Sequence, residues 1–267
     1  MCSAETPAAL TGLPEVDSLI DELRRGIADA LGDLLVGLYL YGSLVWGDFD
    51  PDVSDIDLLA AVTTELDEQA CARLRALHER IARERPAWDD RVEVQYVSLT
   101  GLRTFKERTS RIAAISPGEP FEVRDVGRHW LLNWYSVREK GVTLVGPPPR
   151  TIIAPISREE FVAAVREHAL AWPEWVRDAR QRRAQAYAVL TLCRALYACA
   201  NGEQPSKPQA ARWAQSQMPE WAGLIGEALA WRRSEDAPGG ATYGAVVAFV
   251  DAVRERLLEA DKWGSVG

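Results

Sequence analysis

The sequence predicts an α+β fold made of two successive regions, and three observations carry that reading. Between residues 37 and 97, short apolar runs of strand length interleave with helical patterns. From Ser157 onward every periodic stretch is helical. Between the two lies Pro147-Pro148-Pro149, stiff, extended and unable to continue either element. We therefore expect one domain over residues 1–150 and a helical one over residues 151–267, each with ample material for a core.

In chain order, residues 14–37 space Val16, Leu19, Ile20, Leu23, Ile27 and Leu31 along one helical face that packs on a sheet. Residues 37–61 read GLYLYGSLVWGDFDPDVSDIDLLAA. Leu38 and Leu40 belong to a strand-like run that Gly42-Ser43 ends in a tight turn. A polar, Asp-rich loop follows, and Asp55-Ile56-Asp57 opens a second apolar run, Leu58 to Val62. Residues 65–85 are helical, with Cys71, Leu74, Leu77 and Ile81 inward, Pro86 as the stop, and His78 expected on the surface among charged neighbours. Residues 91–97 alternate as a strand, with Val92, Val94 and Tyr96 on one face and Glu93 and Gln95 on the other.

Residues 100–127 show no clean period and are expected to cover or flank a cleft. A short helix over residues 128–141 carries His129, Trp130 and Trp134, which suit either a pocket wall or ordinary packing. The run VTLV then enters the prolines as a strand. Beyond them, Ser157 and Glu160 form a capping box for a helix carrying Phe161, Val165 and Ala169. A central helix over residues 187–198 ends near Asn201-Gly202. Further helices are expected over residues 208–217, 221–233 and 243–262, the last with Val246, Phe249, Val250, Val253 and Leu257 inward.

The chemistry gathers on a few side chains. Residues two apart in a strand share a face, so Asp55 and Asp57 project together while Ile56 and Leu58 enter the core. Adjacent carboxylates repel unless a cation sits between them. Oxygen-only donors suit Mg²⁺, which keeps waters and completes its shell with substrate phosphates. Gly42 permits close backbone approach, and the amides after it, with the Ser43 hydroxyl, form a donor set for phosphate oxygens. Glu93 leaves its strand in an apolar context, which is costly unless it is partnered. Arg194 sits in an apolar helix, where a guanidinium demands an anion. Lys207 opens a helix beside Pro208, where a cation opposes the dipole and a bound phosphate would explain it. For both cations an intramolecular ion pair is the alternative.

Gly42-Ser43 followed by Asp55-x-Asp57 resembles the signature of the polymerase-β-like nucleotidyltransferase superfamily. More narrowly, LYLYGSLVWG…SDIDLLAAV, the VTLVGP segment and LTLCRALYACANGEQPSKPQAARWA resemble the aminoglycoside 3″-adenylyltransferases. The resemblance implies a mixed sheet with flanking helices as the nucleotidyltransferase domain and an α-helical bundle as the substrate-binding domain. It implies ATP as co-substrate and two Mg²⁺ ions held by Asp55 and Asp57, with Glu93 contributing to the second and serving as general base. Gly42 and Ser43 would anchor the triphosphate, with Ser54 at the edge. Lys207 would contact the nucleotide, and Arg194 would help close the domains over it. The implied acceptor is a hydroxyl of a small, cationic, aminoglycoside-type molecule bound between the domains.

One departure stands out. Where the resembled enzymes carry acidic groups before the LTLxR helix, this chain has Arg180 and Ala184. Glu174 and Asp178 lie nearby but out of register, and a tyrosine position falls near Trp231. Two other classes of function stay open: a nucleotide-binding regulatory or antitoxin-like module without turnover, and transfer to a protein.

Composition narrows the partners. A hydrophobic content of 47% and a charged content of 26% belong to an ordinary globular protein. The net charge of −8 argues against nucleic acid, which needs a basic footprint, and suits a cationic acceptor. Cys2, Cys71, Cys193 and Cys199 lack zinc spacing, and neither a signal peptide nor a membrane-spanning run is visible. A cytoplasmic monomer or weak homo-oligomer with reduced thiols is the expectation.

Overall fold

The computed structural model describes residues 10–232 and 239–263, and the chain divides into two compact units, Met1–Pro155 and Ile156–Gly267. The division falls a few residues past the triple proline. Ile152 and Ile153 are buried, and the Arg138 guanidinium donates to the carbonyls of Arg150 (2.6 Å) and Ile153 (2.7 Å). The proline segment is thereby tied to the first unit.

In that unit, α1 (Pro14–Leu31) buries all six residues expected on its inward face. It ends six residues before Gly37, because Gly32 takes a positive φ of 52° and turns the chain toward β1 (Leu35–Tyr41). A single turn of helix, α2 (Ser43–Trp46), leads to the polar loop and β2 (Ile56–Val62). Then come α3 (Glu68–Glu84), capped by the Asp67 carboxylate, which accepts the Ala70 amide at 2.8 Å, and β3 (Val92–Ser98).

Residues 100–127 depart from the expectation. After the short α4 (Leu99–Thr104), β4 (Ser110–Ser116) and β5 (Glu119–Val126) form a hairpin that extends the sheet, turning at Pro117-Gly118 with Gly118 at φ 76°. The alternation is blurred because β5 is an edge strand with much of its surface exposed and β4 is rich in small residues. α5 (Leu131–Lys140) and β6 (Val142–Val145) complete the unit. The six strands run in the order β5-β4-β3-β2-β1-β6; β2 and β3 are parallel and the other pairs antiparallel, so the sheet is mixed.

One face of the sheet carries Leu38, Leu40, Ile56, Leu58, Val92, Val94 and Tyr96 and packs with α1 and α3 into the main core. His78 belongs to this core rather than to the surface. It is 5% exposed, and its Nε2 lies 2.7 Å from the Tyr96 hydroxyl. The charged residues beside it in sequence point elsewhere on the same helix, and burial pushes its pKa down to about 4. The other face packs with α4 and α5, where Phe105 and Trp134 meet edge to face at 4.8 Å.

The second unit is helical. α6 (Arg158–Trp175) opens with both hydrogen bonds of the Ser157–Glu160 capping box. α7 (Arg182–Asn201) is the centre, ending at Gly202 in the left-handed conformation. α8 (Lys207–Gln217), α9 (Ala222–Trp231) and α10 (Gly240–Trp263) surround it with α6. The five residues expected inward on the last helix are all buried. Cys2, and Arg233 at the expected end of α9, lie outside the described residues. Among the described residues no helix is long and apolar enough to cross a membrane.

Candidate functional site

The pairing of β1, β2 and β3 sets three side chains in one row. The antiparallel register puts Tyr41 opposite Asp57, and the parallel register puts Asp57 beside Glu93. Residues on either side of Asp57, Ile56 and Leu58, point into the helix-covered core, so this row occupies the opposite face. Asp55 stands immediately before β2. All three acidic residues are half-buried, which is where a carboxylate keeps contact with both protein and solvent.

The turn after β1 is shaped around Asp57. Gly42 sits at φ 71°, and a Cβ added there would overlap the Asp57 carboxylate. Only glycine fits, for its backbone conformation and for the space. Ser43 then begins the single turn of α2, with the Val45 and Trp46 amides both bonding the Gly42 carbonyl at 3.2 Å. Ser43 thus follows directly on the glycine whose backbone lies against Asp57.

The loop that delivers Asp55 is held from inside and outside. Ser54 is buried, and its hydroxyl accepts the Asp50 amide at 3.0 Å while its own amide donates to the Asp50 carbonyl at 2.8 Å. This use of Ser54 closes the loop. Immediately before β3, the Arg91 guanidinium donates to the carbonyls of Pro51 (2.8 Å) and Ser54 (2.6 Å) and stacks over Trp88 at 4.4 Å.

Glu93 has two partners that sequence reasoning did not single out. The Tyr41 hydroxyl donates to Glu93 Oε1 at 2.8 Å, and Gln95 Nε2 lies 2.8 Å from both that oxygen and the Tyr41 hydroxyl. Gln95 is fully buried and Tyr41 nearly so. Burial first, then the negative charges of Glu93 and Asp57, push the Tyr41 phenol well above its ordinary pKa, so it is a proton donor at any working pH. The available signal was the period of two: Gln95 shares the Glu93 face, and Tyr41 directly precedes the glycine of the turn.

The two predicted cations lie in the second unit. Lys207 is the first residue of α8, behind the Ser206 N-cap, and Arg194 is on α7, which packs against α8. The Arg194 charge, after burial, helps depress the pKa of His168. Arg180 stacks over Tyr243 at 4.0 Å, Ala184 is half-buried, and Trp231 is a core residue. In the first unit Trp134 is fully buried, whereas His129 is exposed and Trp130 is half-covered under Arg124.

The donor set fits magnesium. Among the described residues no three His, Cys, Asp or Glu side chains form a ready-made metal cluster. Mg²⁺ does not need one, since one or two carboxylates with waters and phosphate oxygens complete its shell. At Gly42 the missing Cβ lets the turn backbone lie against the Asp57 carboxylate, so the turn and this oxygen donor are close neighbours.

A mixed sheet with this turn and this row of acids defines a nucleotidyltransferase, and the nucleotidyltransferase domain family model matches residues 20–115. The model for the aminoglycoside adenylyltransferase C-terminal domain matches residues 151–256. Aminoglycoside (3″)(9) adenylyltransferases of Shigella flexneri and Escherichia coli are each 30% identical over 228 residues, covering 78% of this chain and 81% of theirs. The chain belongs to the aminoglycoside adenylyltransferase family. The spectinomycin adenyltransferase AAD(9) from Enterococcus faecialis, solved with ATP and spectinomycin, shares the fold at a TM-score of 0.72 and 17% identity, covering 90% of this chain and 98% of that one.

Proposed function

We propose that the protein transfers AMP from ATP to a hydroxyl of an aminoglycoside-type antibiotic, in a magnesium-dependent reaction that confers resistance. The observation that carries this reading is the row formed by Asp57 and Glu93 on parallel strands, with the Asp57 carboxylate against the Gly42-Ser43 turn. The relatives named above are adenylyltransferases for such compounds, and a neighbour of the same fold was solved with ATP.

In this reading Gly42 and Ser43 bind the triphosphate, and Asp55 and Asp57 hold two magnesium ions, with Glu93 contributing to the second. Magnesium, when bound, neutralises charge on the phosphates and on the leaving pyrophosphate. Glu93 accepts the proton of the acceptor hydroxyl as it attacks the α-phosphorus in line, since the aspartates are committed to the metal. Lys207 and Arg194 offer the positive charge that a triphosphate requires, while Ser54 acts through the loop. The net charge of −8 favours encounter with a cationic acceptor. A cytoplasmic setting suits an enzyme that uses ATP and keeps Cys71, Cys193 and Cys199 as free thiols.

The test is incubation with ATP, Mg²⁺ and a panel that includes streptomycin and spectinomycin, with added AMP detected by mass. We expect a product from at least one compound, and loss of transfer by about a hundredfold or more in Asp57→Asn with an unchanged circular dichroism spectrum. Every compound remaining unmodified would remove the acceptor class. An active Asp57→Asn would remove the metal-bound mechanism.

A further inference from the structure

We infer that Tyr41 and Gln95 are positioning residues that fix the Glu93 carboxylate for proton abstraction, an inference that rests on the role proposed for Glu93. The three groups close a ring. Tyr41 donates to Glu93 Oε1 at 2.8 Å, Gln95 Nε2 donates to the same oxygen at 2.8 Å, and Gln95 Nε2 is also 2.8 Å from the tyrosine oxygen.

The directions of these bonds are determined. A carboxylate only accepts, so the tyrosine hydroxyl and the glutamine amide nitrogen both turn toward it. The tyrosine oxygen, its proton committed to Glu93, then accepts from the same amide. Flipping the Gln95 amide would set its oxygen against the carboxylate, so the orientation is unique.

The ring spans three strands. Tyr41 ends β1, Glu93 and Gln95 are on β3, and β2 passes between them carrying Asp57. The tyrosine hydroxyl therefore bridges past the Asp57 row to meet Glu93, and the sheet ladder holds both ends of the bridge. Both bonds engage Oε1, which leaves Oε2 as the oxygen turned to the site. Side-chain rotation about χ3 of a glutamate is otherwise broad; here two buried donors on one of its oxygens restrict it. The Gln95 amide oxygen is buried with no hydrogen-bond partner. Retaining that amide in the core carries a penalty, and the bonds from its nitrogen offset it.

The experiment compares Tyr41→Phe, Gln95→Met, Glu93→Ala and the two double variants that combine Glu93→Ala with each. We expect Tyr41→Phe and Gln95→Met each to lower kcat about 10- to 100-fold while KM for ATP stays within about twofold. In the Glu93→Ala background neither change should lower kcat further, because each acts only through Glu93. Melting of the metal-free proteins gives a readout independent of turnover: Tyr41→Phe should lower Tm in the presence of Glu93 and shift it less in its absence. A wild-type kcat in both single variants, or the same fractional loss of kcat with and without Glu93, overturns the inference while the role of Glu93 stands. A fully active Glu93→Ala overturns both together. Should Tyr41→Phe fail to fold, Gln95→Met decides by the same criteria.

Discussion

The two faces of the sheet each bury a tyrosine hydroxyl, and they satisfy it in opposite ways. On the helix-covered face Tyr96 meets the neutral His78, with Phe121 near both rings, inside a core lined by Ile56, Leu58 and Val94. On the other face Tyr41 meets Glu93 and Gln95 beside Asp57. The first pair is closed off among apolar side chains, and a neutral imidazole is the form that burial favours. The second ends in half-buried carboxylates next to a glycine turn. A buried hydrogen bond therefore does not by itself mark a site in this molecule. What marks it is the row of charges that the bond holds in place.

Three changes separate the faces, beginning with the largest effect. Gly42→Ala introduces a side chain at a positive φ and into the space of the Asp57 carboxylate. Transfer should fall about a hundredfold or more, with a stability loss of about 1–3 kcal/mol by chemical denaturation. Normal turnover in this variant would show that Asp57 tolerates displacement.

On the opposite face the effect should be on stability and should depend on pH. His78 titrates near 4 in the folded protein and near 6.5 when unfolded, so the unfolded chain takes up a proton first as the pH falls. The stability associated with its neutral form is complete above 6.5 and is lost as the pH falls toward 4, by at most about 3 kcal/mol. Urea denaturation of His78→Gln should show a flatter decline than wild type across that window. Parallel declines would place the acid sensitivity elsewhere. Tyr96→Phe is the mildest, costing about 1 kcal/mol, with kcat and KM unchanged. A drop in kcat there would erase the distinction between the faces.

The parts of the fold that were legible in the sequence are those with a strong period. The six inward residues of α1, the alternation of β3 and the inward face of α10 follow from apolar side chains that alone must reach a core. The β4–β5 hairpin was hidden because an edge strand needs no apolar alternation and Ala113 and Ala114 carry little hydrophobic signal. His78 was misplaced because charged sequence neighbours say nothing about which way a helical residue points. In the candidate site, the row of Asp57 and Glu93 was readable from local pattern and resemblance. Its alignment with Tyr41 was not, since that depends on how β1 and β2 are registered across the polar loop.

An Asp-rich loop would ordinarily be pushed apart by its own charges and sample many shapes. Here the guanidinium of Arg91, braced on an indole, grips two of its carbonyls from the head of the neighbouring strand. Whatever docks beside Asp55 meets a rim that is already stiff, and little of its affinity is surrendered to quieting that rim.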